Sequence, residues 1–290
     1  MQGNNLGENE MEKLKTIKLS NVFTYAALTI VLIFTAFPFF WMVASSLNRP
    51  ETLFAFPPKL IPDFYFKNYI DMWHNPPGGV SWWRYIGNTI FIAGTTTILS
   101  VLNSSLAGFA FAKLKFPLRN KIFILLLGLL MIPGEMLLIP NYVILKNLHW
   151  LNTYQAMIIP WCASVFGIFL TRQFFKTIPN ELWEAAQVDG CSIGRYFFSV
   201  AVPLAKPTLL TLALFVFLGS WNAFLWPLIV ATDYAIMPLE VALNSFLGSE
   251  GTEWGLLTAA STMVTAPVLI LFLIFQRQFI EGIARGAIKG

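Results

Sequence analysis

The sequence predicts an all-α chain that crosses a membrane six times, and three observations carry that prediction. Of its 290 residues, 56% are apolar, 16% aromatic and only 12% charged, a balance outside the range of ordinary soluble domains. Apolar stretches of about 20 residues, the length a helix needs to cross hydrocarbon, recur at residues 22–47, 86–112, 122–145, 154–171, 207–230 and 258–275. The cationic residues are unevenly placed: 14 of the 19 fall in the two terminal segments and in the loops after the second and fourth stretches. Lys and Arg hold the segments that carry them on the cytoplasmic side, so both termini are expected there.

Residues 1–21 form a polar leader containing Lys13, Lys15 and Lys18. The apolar stretch behind it is too long for a signal peptide and lacks a small-residue cleavage site, so it is read as a retained anchor. A transmembrane domain of residues 22–281 and a short cytoplasmic tail of residues 282–290 follow. Cys162, in the fourth stretch, and Cys191, in a charged loop, fall on different structural units, which argues against a disulfide or a metal site. The net charge of +4 is the loop asymmetry summed, not a basic soluble surface, so no nucleic-acid partner is expected.

The loops on the opposite side differ in kind. Residues 48–85 are rich in Pro and aromatics (FAFPPKLIPDFYFKNY, HNPPGG, SWWRY), the composition of an ordered, rigid cap. Its Trp and Tyr serve either as an interfacial aromatic belt or as a surface for a partner. The last such loop carries Asp233, Glu240, Glu250 and Glu253, and its GSEGTEWG portion reads as a flexible tip bearing Trp254.

Within the second stretch, Ser104, Gly108 and Ala112 make a small-residue stripe that lets helices approach closely. Asn88, Thr95, Thr96, Thr97, Ser100 and Asn103, and in the fifth stretch Ser220, Trp221 and Asn222, are polar groups at membrane depth. Such groups either bond between helices or line a wet path. The third stretch is broken by MIPGEMLLIPNY, where Pro133 removes a backbone donor and Glu135 is the one carboxylate well inside a span. A charge at mid-bilayer costs on the order of 2.5–3.5 kcal/mol, so Glu135 faces protein or water, or lies near enough to the outer surface to be solvated. Spans this poor in charge disfavour coupling to an ion gradient and suit a neutral, hydroxyl-rich cargo. No enzyme is indicated: His74 and His149 lie in separate loops, and no HExxH, GxSxG, paired intramembrane carboxylates or phosphate loop occurs.

Between the fourth and fifth stretches lies ELWEAAQVDGCSIGRYFFSVAVP, residues 181–203. Asn180 is placed to cap a short helix with Glu181 and Glu184 in its first turns, where carboxylates suit the positive end of the dipole. Asp189 and Gly190 stop that helix. Ser192 is placed to cap a second, bearing Ile193, Tyr196, Phe197 and Val200, and Pro203 to close it. The result is a compact knob that either docks a partner or lies on lipid; its acidic residues outnumber Arg195, which favours docking over the basic faces of interfacial helices.

The spacing Glu184-Ala185-Ala186, three residues, Gly190, nine residues, then Val200-Ala201-Val202-Pro203 resembles the EAA loop of permease subunits from binding-protein-dependent ABC importers. The likeness extends to the carbohydrate branch, to the second permease of the maltose-transporter type, through the PGE...IPNY third stretch, SWNAFLWPL at residues 220–228 and the tail ending GAIKG. The resemblance implies a type I importer permease fold in the cell membrane and a division of labour. A second, homologous permease completes the pathway, a cytoplasmic ATPase dimer holds ATP and Mg, this chain binds no cofactor, and an extracytoplasmic solute-binding protein delivers a sugar. It implies a coupling loop of residues 180–203, in which Glu184 meets a basic group on the ATPase, Ala185 and Ala186 permit close helix approach, and Gly190 makes the bend, with Asp189 and Pro203 completing the set. Glu135, Asn141, Tyr142, Asn222 and Trp226 are candidates for touching cargo or for packing alone. Glu250, Thr252 and Trp254 are candidates for meeting the binding protein. Two other readings stand beside it: an importer of a non-sugar solute, and a stand-alone carrier or membrane enzyme active without an ATPase.

Overall fold

The computed structural model describes residues 5–248 and 251–287, nearly all of them helical. By packing, the chain falls into two units, Met1–Met72 with Glu253–Thr262, and Trp73–Thr252 with Met263–Gly290.

In the first unit, α1 (Asn5–Ser46) is one continuous helix. The boundary expected between leader and span at residue 21 is therefore not a structural break; the backbone runs through it helically because neither Gly nor Pro interrupts residues 8–37. The chain beyond α1 folds back on that helix's end. Asn68, at the start of α2 (Lys67–His74), donates its side-chain amide to the carbonyls of Ser46 at 2.9 Å and Asn48 at 2.8 Å, and the Tyr65 amide donates to Leu47 at 2.8 Å. Asp63 accepts from Lys59 at 2.7 Å and from the Thr52 hydroxyl. Phe54 packs edge-to-face on Trp254, ring centres 6.0 Å apart, at the start of α13 (Trp254–Ala287). The Pro- and aromatic-rich loop is an ordered cap, as its composition predicts.

The second unit is built on α3 (Trp82–Lys113), a 32-residue helix ended by the extended Leu114 shortly before Pro117. It packs along α7 (Val165–Thr177) and α10 (Val202–Trp221). The small-residue stripe makes the first contact. A Cβ on Gly108 would sit 2.8 Å from the Arg172 amide nitrogen, and one on Gly167 would sit 3.0 Å from Ser104 Cβ. Thr171 closes the seam by donating to the Ser104 carbonyl at 2.7 Å. The third stretch is two helical pieces bent by 96°: α4 (Arg119–Leu129), then a 3-10 turn at Gly134–Leu137 leading into α5 (Leu138–Asn147). The fourth is bent by 42° between α6 (Tyr154–Ile158), with its 3-10 extension through Pro160, and α7, which Ser164 caps by accepting from the Gly167 amide at 3.0 Å. Helix α7 runs to Thr177, six residues past the apolar stretch, and ends at the extended Ile178.

Two short helices follow α7, namely α8 (Asn180–Val188) and α9 (Ile193–Tyr196). A π-helical turn at Phe197–Ala201 then joins α9 to α10, so Pro203 does not close a helix as expected but lies in the first turn of the next one. The Val202 amide bonds back five residues to Phe197, and this wider winding accommodates a proline that has no amide hydrogen to give. Helix α10 ends at Trp221, short of the expected 230, and α11 (Leu225–Val230) is a separate piece. Beyond it, the Asn152 carboxamide accepts from the Thr232 and Asp233 amides, and Asn88 donates to the carbonyls of Ala235 and Met237. Helix α12 (Leu239–Leu243) starts where the Leu239 amide bonds Thr89. The tip read as merely flexible contains a two-strand ladder, β1 (Leu247–Gly248) on β2 (Gly251–Thr252), Leu247 opposite Thr252. Helix α13 continues to Ala287, so the expected tail from residue 282 begins as helix; residues 288–290 lie outside the described residues.

Among the described residues, four helices are long and apolar enough to cross a membrane, Asn21–Ser46, Trp82–Lys113, Ile193–Trp221 and Trp254–Ile274, and with each bent pair taken as one span the count is six.

Candidate functional site

The knob is assembled from local backbone chemistry. Gly190 takes φ +70°, with its amide bonded to the Gln187 carbonyl at 3.0 Å and the Cys191 amide to Ala186 at 2.9 Å, a Schellman ending for α8. Ala186 and Cys191 both pack on the apolar cluster beneath, the contact that accompanies this motif. Ser192 then caps α9, its hydroxyl accepting from the Arg195 amide at 3.3 Å, as its position predicts. Asn180 does not cap α8: it is the first helical residue, and its side-chain carbonyl is taken by Lys113 Nζ at 2.9 Å, from the end of α3. Lys113 also donates to the Ile178 carbonyl at 2.6 Å, so α3 grips the entry to the knob.

The inner face of the knob is fused to the span ends. Trp183 meets Tyr196 edge-to-face at 4.7 Å and Phe109 at 6.2 Å, and Phe175, Phe197, Ala201 and Ala205 complete the cluster. The outer face is unpartnered: Leu182 is 46% exposed and Val188 87%, with Ala185 exposed between them. The two alanines of the motif thus divide, Ala186 inward and Ala185 outward. Glu184 and Asp189 are exposed, and Glu184 lines a cleft of about 690 Å³ together with Lys113, Lys115 and Arg119.

A second site lies inside the second unit, a cavity of about 540 Å³ walled by α3, by α6 and the segment of residues 161–164 before α7, and by α10 and α11, with the break in the third span at its edge. Of the five residues expected on a path, Glu135 and Trp226 line it. Glu135 is exposed at the 96° break. Trp226 is buried, and its indole N–H is committed to the Ala156 carbonyl at 2.9 Å. Asn141, Tyr142 and Asn222 are not among the lining residues; Tyr142 packs instead on the apolar cluster around Met157 and Trp226. The polar residues of α3 separate into two groups. Asn88 and Asn103 bond between elements, Asn103 to the Cys162 carbonyl at 2.9 Å, while Thr96 and Ser100 face the cavity. Thr96 and Ser100, named from the sequence as groups that either bond between helices or line a wet path, are on this wall, whereas Trp161 was not singled out.

Of the three residues placed on the acidic tip, Glu250 lies outside the described residues, Thr252 is in the ladder, and Trp254 is 46% exposed while resting on Phe54.

Helical segments enough for six membrane crossings, a cavity among the second to fifth of them, and a two-helix knob between the fourth and fifth define a membrane permease subunit. Residues 104–285 match the family described as "Binding-protein-dependent transport system inner membrane component", and the chain belongs to that family. It is 39% identical over 209 residues to the arabinooligosaccharides transport system permease protein AraQ of Halalkalibacterium halodurans, covering 72% of this chain and 75% of that protein. It is 33% identical over 268 residues to the sn-glycerol-3-phosphate transport system permease protein UgpE of Escherichia coli O1:K1 / APEC, covering 90% of this chain and 95% of that one. Its fold is similar to a chain of a bacterial ABC transporter involved in the import of the acidic polysaccharide alginate, with a TM-score of 0.79 at 21% identity over 90% of this chain and 97% of that chain.

Proposed function

We propose that the chain is one of two permease subunits of an ATP-driven, binding-protein-dependent importer of sugars or oligosaccharides. The observation that carries this is the two-sided knob. Its inner face, Trp183, Ala186 and Tyr196, is packed into the ends of the spans, and its outer face offers Leu182, Ala185 and Val188 uncovered. A rigid body gripped on one side and apolar on the other passes a push from a docked partner to the helices behind it. That partner is the cytoplasmic ATPase dimer, where ATP and Mg are bound; the knob and both termini face the cytoplasm, as the Lys and Arg distribution supports. A homologous second permease completes the pathway, and an extracytoplasmic binding protein brings cargo to the opposite face. The sugar class is supported by the low charge of the spans and by relatives named for arabinooligosaccharides.

Two substitutions test the coupling. Gly190→Pro removes the amide that bonds Gln187 and forbids φ +70°, and Glu184→Lys adds a fourth cation to the cleft with Lys113, Lys115 and Arg119. Both are expected to abolish sugar uptake and weaken co-purification with the ATPase while leaving insertion into the membrane intact. Wild-type uptake in both variants overturns the assignment of the knob as the coupling element.

A further inference from the structure

The cavity of the second unit carries chemistry that the coupling role does not use. Thr96 and Ser100, one turn apart on α3, are each 1% exposed, and neither hydroxyl oxygen has a hydrogen-bond partner. Buried hydroxyls are nearly always satisfied, so two unsatisfied ones on a single cavity wall point to a polar solute that completes them. Trp161 supplies an aromatic surface, 41% exposed and packed edge-to-face on Trp226 at 6.1 Å and 80° between ring planes. Trp226 is itself tied to Ala156 through its indole N–H, so this platform is preorganised. The apolar C–H face of a sugar ring matches such a platform, and its hydroxyls match Thr96 and Ser100. The volume of about 540 Å³ falls within the roughly 300–1,000 Å³ typical of small-molecule sites.

Charge narrows the cargo further. Glu135 is the one ionisable side chain among the lining residues, and no Lys, Arg or His joins it. An anionic sugar entering here meets a like charge, and this chain's lining residues offer it no compensating cation, an arrangement that disfavours it by repulsion. Relatives of the chain are named for a phosphorylated cargo and for an acidic polysaccharide, so the family alone does not set cargo charge.

We propose that this cavity is a glycosyl subsite on the subunit itself. Thr96 and Ser100 bind sugar hydroxyls, Trp161 stacks on a ring face, and Glu135 turns away uronic acids and sugar phosphates. The inference rests on the importer reading and adds two things to it: the residues by which this chain holds a sugar ring, Thr96, Ser100 and Trp161, and a charge filter at Glu135.

Two measurements test it. In the first, the full-length chain carries Ala163→Cys on the exposed cavity wall in a Cys162→Ala, Cys191→Ser background, and is labelled in membranes with a cationic and an anionic methanethiosulfonate. The cationic reagent is expected to react several-fold faster, and Glu135→Gln to level the two rates. Equal rates with Glu135 present, or no reaction with either reagent, overturn the charge filter. In the second, the complete importer is reconstituted with its partner permease, ATPase and binding protein, and uptake of arabinotriose and maltotriose is compared with that of trigalacturonate. Thr96→Val with Ser100→Ala, and separately Trp161→Ala, are expected to slow neutral uptake by about fivefold or more at saturating binding protein, the scale of a lost hydrogen bond. Each variant is checked for assembly by co-purification with the ATPase. Unchanged uptake in all of them, or trigalacturonate uptake by the wild type, overturns the subsite and leaves the importer reading standing. A wild-type complex that takes up no saccharide at all sinks the importer reading, while the labelling ratio still reports on Glu135.

Discussion

Asp63 shows how much one carboxylate settles in the cap. It accepts from Lys59 Nζ and the Thr52 hydroxyl, and lies 3.5 Å from the Arg49 amide, so the segment from residue 49 to 63 is tied to a single side chain. The Lys59 hydrogen bond, aided by Thr52, holds its carboxyl at about 2 against an ordinary 3.8. Because folding lowers this value, the contribution is whole above pH 3.8 and is lost as the pH falls through about 2. Cleavage by pepsin within residues 49–63 of the detergent-solubilised chain is expected to accelerate across that window, and Asp63→Asn to be cut rapidly throughout it. Identical profiles for the two proteins contradict this. Residue-level features were legible in the sequence where they depend on local backbone chemistry. Gly190 and Ser192 do what their positions predict, because a left-handed helix ending and a capping hydroxyl need only near neighbours. Asn180 does not, because Lys113, 67 residues away, takes its carbonyl, and no local pattern reveals such a competitor.

At the level of helices, breaks were readable and their geometry was not. Pro133 announces an interruption, but the 96° bend and the exposure of Glu135 at its edge depend on how α5 packs. Pro203 was read as a stop because a proline inside a helix is costly, and the π turn before it removes that cost without ending the helix. The α3–α7 seam was readable as a stripe on one helix, but its partner surface, Gly167 and Thr171, is a property of the pair. That seam gives a sharp test at Gly108. A side chain there meets backbone, the Arg172 amide nitrogen at 2.8 Å from a Cβ, together with Thr171 Cβ at 2.9 Å, so no rotamer change relieves it. Gly108→Val is expected to destabilise the purified subunit by on the order of 1–3 kcal/mol, read as a lowered thermal midpoint in detergent. Gly128, where an added Cβ meets nothing within 4 Å, is the control: Gly128→Ala should leave the midpoint unchanged or raise it. Equal shifts for the two variants contradict the tight seam.

For the molecule as a whole, composition and cation placement were enough to predict six spans, because both follow from the bilayer rather than from side-chain packing. The cavity was half visible: Glu135 and Trp226 stand out as a lone charge and an aromatic, and Thr96 and Ser100 as polar groups whose choice between bonding and lining stayed open, whereas Trp161 joins the wall only once the bent fourth span faces α3. Transmembrane orientation is the remaining whole-molecule quantity, and the chain carries its own reporter. Cys162 is buried in the fourth span, whereas Cys191 is partly exposed in the knob, so a membrane-impermeant maleimide reads one position in the unmodified protein. If 14 of the 19 cationic residues hold their segments in the cytoplasm, Cys191 is labelled in inside-out vesicles and protected in right-side-out ones. Vesicles lacking the ATPase avoid cover of the knob, and Cys191→Ser should remove the signal from both preparations. Labelling confined to right-side-out vesicles places the knob outside the cell, where no ATP-driven partner reaches it, and the coupling role falls with it.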